Sequence, residues 1–272
     1  MFISDSQLLK ECLVQSRASL KGREMMDSSY NSPVNGRTIP GAEPEYRRMD
    51  SIKMLLVELG SLCGQKTIHF LNSSVNYLEV GHWMRANGFY ARNRTNRRRE
   101  LFDQISARVA EKKVLYLEFG VASGASMRYW SRLLKNPGSQ LHGFDTFEGL
   151  PSDWRMGDKK GAYSADGQPP QIDDPRVKFF KGLFEQTLPG YAPPVGYDVL
   201  IINIDCDLYS SASFVLRSLS EHIRPGTFIY FDEFSDPHNE LRAFHDFLVS
   251  TGKRFALTGA TKAYAQVSFE CC

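Results

Sequence analysis

The chemistry of this 272-residue chain concentrates in pairs of acids that end apolar runs. "VLIINIDCDLY" (199–209) opens as a β-branched, strand-like stretch and closes on Asp205 and Asp207, and "GTFIYFDEF" (226–234) closes in the same way on Asp232 and Glu233. Four acids at two strand ends need a reason, because like charges a few ångströms apart raise one another's pKa and resist joint ionisation. A divalent cation would relieve the repulsion. An all-oxygen donor set without His or Cys suits a hard ion, Mg2+ first and Mn2+ second, rather than zinc. The competing reading is helix capping, since Asp before a helix N-terminus is common; it fits one Asp readily and four acids poorly. Asp205 and Asp207 are two apart, so in extended chain they point to the same side.

A second constellation lies in "YLEFGVASGASMRYW" (116–130), which reads as strand, glycine turn and helix, the layout in which backbone N–H groups and a helix N-terminus meet a ligand. Gly120 and Gly124 bracket the turn and Ser126 follows it. The spacing is not diagnostic, but Glu118 discriminates: its charge would repel a pyrophosphate and attract an ammonium. S-adenosylmethionine offers that ammonium, with a carboxylate for the backbone N–H groups. Asp145 ends "LHGFD", 25 positions after Gly120, where an acid takes ribose hydroxyls in nucleotide-binding α/β folds. Gly182, ending "VKFFKG", would let backbone approach the adenine.

These residues can meet only if the elements behind them share an edge. From residue 113, seven strand-like runs recur, several separated by helical segments, which is the pattern of α/β winding. In an open parallel sheet the ligand site lies beyond the carboxyl ends of the strands, where all of these residues would gather. Helix patterns support the reading: Ala212, Val215, Leu216, Leu219 and Ile223 share a face that Pro225-Gly226 ends, and Asp236-Pro237 opens a helix that Gly252 can close. Residues 151–175, rich in Gly, Pro and Asp, exceed the ordinary loop length and are expected to form a lid over the site. Residues 1–112 are expected to be a helical accessory segment, with a turn-rich loop at 27–46. "MDSIKMLLVELGSL" (49–62) has helical spacing, and "TNRRRELFDQISARVAEKK" (95–113) reads as an amphipathic helix with a Thr/Asn cap. Residues 113–272 would be the catalytic domain.

Bulk properties set limits. With 33 basic and 31 acidic residues, no global field commits the chain to nucleic acid or an anionic membrane. No run approaches the ~18 apolar residues of a membrane helix, and "MFISDSQLLKECL" carries acids where a secretory signal is basic and then apolar. Five cysteines without metal-ligand or disulfide-framework spacing fit a reducing compartment, so a cytoplasmic protein is expected. The terminal "ECC" follows strand-like chain directly, which disfavours lipidation.

In order along the chain, "YLEFGVASGASM", "GFDTFEGLP", "VKFFKGLFEQTLP", "IDCDLYSSA" and "RPGTFIYFDEF" resemble the motifs of the macrocin O-methyltransferase family, over about residues 113–240. The resemblance implies a Rossmann-like class I methyltransferase fold, with a seven-stranded, mostly parallel sheet between helices. It also implies S-adenosylmethionine and metal dependence, and methylation of a hydroxyl of a small molecule, a sugar of a glycosylated natural product. By position it makes Asp205, Asp232 and Glu233 metal ligands and Asp207 the general base. Cys206 stands where the family usually has Gly, and Glu233 where the third ligand is usually Asp. His238 is an alternative base, though a His in a first helical turn is more often simply exposed.

Rival readings remain at this point. Paired phenolic hydroxyls would suit the same metal in a catechol-type methyltransferase. "RNRTNRRR" (92–99) could pair with the phosphates of a nucleic acid, an anionic acceptor or an acidic partner, although no aromatic stacking pattern accompanies it. A cofactor-binding regulator is disfavoured by the intact acid set. The apolar N-terminal helices suit a homo-oligomer.

Overall fold

The computed structural model describes residues 43–149 and 160–272, with side chains from Asp50 onward. Three helices come first: α1 (Glu43–Leu62), α2 (Gln65–Ala86) and α3 (Arg98–Val109). Then follow β1 (Val114–Phe119), α4 (Ala125–Leu133), β2 (Gln140–Asp145), β3 (Val177–Lys181), α5 (Phe184–Thr187), β4 (Val199–Ile204) and α6 (Tyr209–Ser218). The chain ends with β5 (Phe228–Phe231), α7 (Glu240–Thr251), β6 (Phe255–Ala260) and β7 (Val267–Cys271). The seven strands form one sheet in the order β3-β2-β1-β4-β5-β7-β6, as expected of a Rossmann-like α/β fold. The first five run parallel, and β7 pairs antiparallel with both β5 and β6.

The sheet is covered on both faces. In the central strands β1 and β4 every residue is buried, and the two-residue period divides them between two cores. Val114 and Tyr116 join Leu101, Phe102, Ile105 and Val109 of α3 and Met127 and Trp130 of α4. Leu115, Leu117 and Phe119 join the α6 and α7 side, together with Val80, Trp83 and Met84 from the end of α2. Each large apolar side chain so buried contributes about 1.5–3 kcal/mol, so the two cores hold the strand ends, and the acids on them, in fixed relation.

Several local expectations are corrected. The Thr/Asn cap on α3 is not made; Arg97 precedes the helix without a side-chain cap. Thr95 is drawn into backbone pairing at the sheet edge, donating to Ala260 and accepting from Lys262, and this fixes where α3 begins. Helix α7 starts at Glu240, not at Asp236-Pro237, because Asp236 instead accepts from the His238 amide and the Asn239 side chain in a preceding turn. Gly252 does close it, at φ 66°. Of the turn-rich stretch expected at 27–46, residues 27–42 lie outside the described residues and 43–46 are already helical. Among the described residues, Cys63, Cys206 and Cys271 carry free thiols. Among the described residues, no helix is long and apolar enough to cross a membrane.

Candidate active site

At the carboxyl ends of the parallel strands lies a cavity of about 780 Å³, within the ~300–1,000 Å³ range of small-molecule sites. Its wall contains Glu118, Gly120, Ser126, Asp145, Gly182, Asp205, Asp207, Asp232 and Glu233. Gly124 does not line it; a Cβ there would meet the Pro170 ring at 2.7 Å, so this glycine lets the 151–175 connection pack down. Residues 151–159 of the expected lid lie outside the described residues, while Ala162 and Tyr163 from its far end line the cavity. His238 is exposed and away from the cavity wall.

On the β1–β2 side, Gly120 has φ 90°, and a Cβ would lie 1.7 Å from the Asp205 carbonyl oxygen. The glycine is therefore required by the close approach of the β1 and β4 ends themselves. Asp145 organises the turn that follows: its carboxylate accepts from the amides of Val121 (2.7 Å), Ala122 (2.8 Å) and Phe147 (2.7 Å). A carboxylate offers about four lone-pair positions, so Asp145 retains capacity for about one further donor. One such donor is fewer than the pair of ribose hydroxyls expected of an acid at this position. Glu118 is buried and accepts from the Tyr116 hydroxyl at 3.0 Å, which in turn accepts from Asn203 Nδ2. Burial pushes the Glu118 carboxyl up to about 8, against the opposing effects of the Tyr116 hydrogen bond and the Arg98 charge.

On the β4–β5 side the acids crowd. Strand β4 ends at Ile204, and Asp207 has φ 62°, so the extended geometry that would align Asp205 with Asp207 has already been lost. Burial, then repulsion from Asp232, Glu240, Asp207 and Glu118, drives the Asp205 carboxyl well above the usual range. Asp232 accepts from the Tyr230 hydroxyl at 2.6 Å, and Arg98 Nη1 reaches both of its oxygens at 3.3 Å. Glu240 is fully buried behind these loops, accepting from the amides of Cys206 (3.3 Å) and Glu233 (3.0 Å). It thereby ties the two acid-bearing strand ends together. Burial holds its carboxyl high in spite of both donors.

The donor chemistry of Asp205, Asp232 and Glu233 fits a hard divalent cation: all oxygen and crowded. In this arrangement the counter-charge beside Asp232 is the Arg98 guanidinium, and among the described residues no three acids, His or Cys are grouped to hold an ion. Arg98, Glu240, Tyr116 and Tyr230 were not anticipated. For the tyrosines a signal exists, since Tyr116-Leu-Glu118 and Tyr230-Phe-Asp232 place each hydroxyl two residues before an acid on the same face of a strand. In the sequence Arg98 is visible only as one of the arginines of the 92–99 cluster. Arg94 stacks on Tyr264 and Arg99 on Tyr129, so three of the five arginines in 92–99 are engaged within the protein.

Residues 117–234 match a family model described as a methyltransferase domain. A curated relative, the 8-demethyl-8-(2,3-dimethoxy-alpha-L-rhamnosyl)-tetracenomycin-C 4'-O-methyltransferase of Streptomyces olivaceus, is 27% identical, over 44% of this chain and 52% of that protein. The chain thus spans about half the length of the curated relative it matches. Among solved structures, the calicheamicin methyltransferase CalS11 has a TM-score of 0.48 at 17% identity, covering 99% of this chain and 94% of that one. The O-methyltransferase NovP has a TM-score of 0.46 at 19% identity, covering 63% and 76%.

Proposed function

We propose that the protein is an S-adenosylmethionine-dependent O-methyltransferase of the macrocin type, acting on a sugar hydroxyl of a glycosylated small molecule. The observation that carries this reading is the pairing, in one cavity, of an ammonium-seeking buried acid at the glycine turn with a cluster of acids at the next two strand ends. The match of residues 117–234 to a methyltransferase domain supports the reaction class. The sugar is inferred from the Streptomyces olivaceus relative, whose name specifies a 4'-O-methyl on a rhamnosyl-bearing compound.

Glu118 would accept the ammonium of the cofactor's amino-acid end, Asp145 one ribose hydroxyl through its remaining lone pair, and Ser126 and Gly182 would line its flanks. The cofactor supplies an electrophilic methyl on a sulfonium centre. Asp207 would take the acceptor proton at its carboxylate as the new carbon–oxygen bond forms, a contribution typically of ~10²–10⁴-fold. The left-handed backbone at Asp207 belongs to a class of strained conformations that cluster at functional sites. Asp205, Asp232 and Glu233 would hold Mg2+, with Mn2+ the alternative, and such an ion lowers the pKa of a bound hydroxyl. Glu233 in place of the usual Asp reaches one methylene further, and Cys206 replaces a glycine between the two acids of β4.

Calorimetric titration of S-adenosylmethionine and of its demethylated product, with Mg2+ and with chelator, on the native chain and on Asp232→Ala, tests the reading. Cofactor binding with an Mg2+ effect that needs Asp232 is the expected result. Cofactor binding with no metal effect would leave a metal-free methyltransferase, and no binding at all would overturn the assignment.

A further inference from the structure

Strand β4 reads Val-Leu-Ile-Ile-Asn-Ile, buried throughout, and Asn203 is its one polar residue. An apolar side chain would suit that core better, because the Asn203 Oδ1 is buried without a partner among the described residues. Native structures keep few such groups, and each calls for a reason beyond packing. In the β1–β4 register Asn203 lies opposite Glu118. Its Nδ2 donates to the Tyr116 hydroxyl at 3.0 Å. Tyr116, Glu118 and Asn203 are each at most 1% exposed.

Proton count fixes the direction of this chain. A phenol has one proton to give and accepts through the same oxygen. Since that oxygen receives the Asn203 amide, its proton goes to Glu118 Oε2, also at 3.0 Å. One carboxyl oxygen is thereby committed to the protein, and Oε1 is the oxygen left for the cavity that Glu118 lines. The Tyr116 ring is held in place: Trp130 of α4 packs on it with ring centroids 5.2 Å apart, and Phe102 of α3 backs Trp130 at 5.4 Å.

We propose that Tyr116 and Asn203 are positioning residues of the cofactor site, which give the two oxygens of Glu118 separate tasks: Oε2 takes the Tyr116 proton and Oε1 receives the cofactor's ammonium. The inference rests on the reading of Glu118 as the ammonium acceptor. Neither Tyr116 nor Asn203 lines the cavity, so both act through Glu118. Tyr116 stabilises the ionised carboxylate, the form that an ammonium requires, by a charge-assisted hydrogen bond. It also keeps Oε2 occupied, so a neutral Glu118 carries its proton on Oε1, from which it is released to solvent as the ammonium binds. This hydrogen bond opposes the effect of burial on the Glu118 carboxyl. Of the other charges that face it, Arg98 of α3 also favours ionisation, while Asp145 at the end of β2 and Asp232 beyond β5 disfavour it. Asp205 beyond β4 repels it as well.

Calorimetric titration of S-adenosylmethionine across a series of pH values, on the native full-length chain, Glu118→Gln, Tyr116→Phe and Asn203→Leu, tests the proposal. Tyr116→Phe keeps the ring and loses the proton. Cofactor affinity at neutral pH should fall about 10-fold, in keeping with loss of a hydrogen bond to a charged group, and the pH at which affinity levels off should rise by about one unit. Turnover at saturating cofactor should stay near native, so that KM for the cofactor moves and kcat does not. A merely structural Tyr116 would alter stability and leave the pH profile in place. Asn203→Leu, which no longer orients the phenol, should shift affinity in the same direction by about 3-fold, and it decides the matter if Tyr116→Phe does not fold. In the Glu118→Gln background, Tyr116→Phe should add little. Native affinity and a native pH profile in Tyr116→Phe, with weak binding by Glu118→Gln, would overturn the inference and leave the cofactor reading standing. Native affinity in Glu118→Gln would overturn the ammonium reading, and the inference with it.

Discussion

The carboxyl end of the sheet and the N-terminal arm invert the ordinary distribution of polarity in opposite senses. Around the cavity, charge is buried: Glu118, Asp232 and Glu240 are all under 9% exposed. Along α1 and α2, leucines face water. The two inversions are relieved differently. Each buried acid finds a donor inside its own chain: a tyrosine hydroxyl for Glu118, a tyrosine and Arg98 for Asp232, two backbone amides for Glu240. Arg98 is the one cationic side chain in the cavity wall among the described residues. A misplaced charge can be satisfied by one well-aimed group, whereas a misplaced apolar stripe needs a whole surface.

If the cavity is where chemistry occurs, its acids should be separable from the arm by the size of their effects. The largest is expected from Asp207→Asn, which keeps the shape and removes the base: turnover, measured as release of demethylated cofactor, should fall by ~10²–10⁴-fold with cofactor affinity nearly unchanged. Next is Glu240→Ala, which leaves the buried amides of Cys206 and Glu233 without an acceptor. At about 1–3 kcal/mol for each orphaned donor, chemical denaturation should show a loss of roughly 2–6 kcal/mol. A Glu240→Ala protein of native stability would mean that the two strand ends do not depend on this tie.

The residues that proved legible in the sequence are those whose position is set by the strand they end. Glu118, Asp145, Asp205 and Asp232 each follow an apolar run, and a parallel sheet brings such ends to one edge whatever the connections do. What escaped was set by contacts distant in sequence. Glu240 reaches backbone 34 and 7 residues away, and nothing local distinguishes it from an ordinary acid in a first helical turn. Arg98 was disguised by four neighbouring arginines, and its aim is fixed by the pairing of Thr95 with the β6–β7 edge, 165 residues distant. The lost alignment of Asp205 with Asp207 has a similar origin, because strand geometry cannot be extrapolated past the last ladder bond. The apolar arm was legible as helix, but only exposure revealed that its apolar side chains are uncovered.

Arg98→Met sharpens the contrast from the cavity side. Its removal leaves Asp232 short of a counter-charge, and because the Arg98 side chain is 39% exposed the cost is discounted for solvent, to about 1–2 kcal/mol at neutral pH. Mg2+ should recover that loss if Asp232 is a metal ligand, so thermal denaturation with and without Mg2+ should show a larger metal-induced rise in the variant than in the native chain. Equal rises would separate Asp232 from the metal.

The effect most specific to the cavity is one of pH. Glu118 is held at about 8 against a model-compound value of 4.5, chiefly by burial. Between those values the folded chain keeps a proton that the unfolded chain has released. The contribution is therefore fully present below about 4.5 and is lost as pH rises through about 8. Without cofactor, stability should decline from pH 6 to 8, and Glu118→Gln should flatten that decline. An ammonium guest prefers the ionised carboxylate, so cofactor affinity should move the opposite way, rising by up to ~10-fold per pH unit below 8 with release of a proton. Calorimetry at pH 7 in buffers of different ionisation heat should detect that proton in the native chain and not in Glu118→Gln.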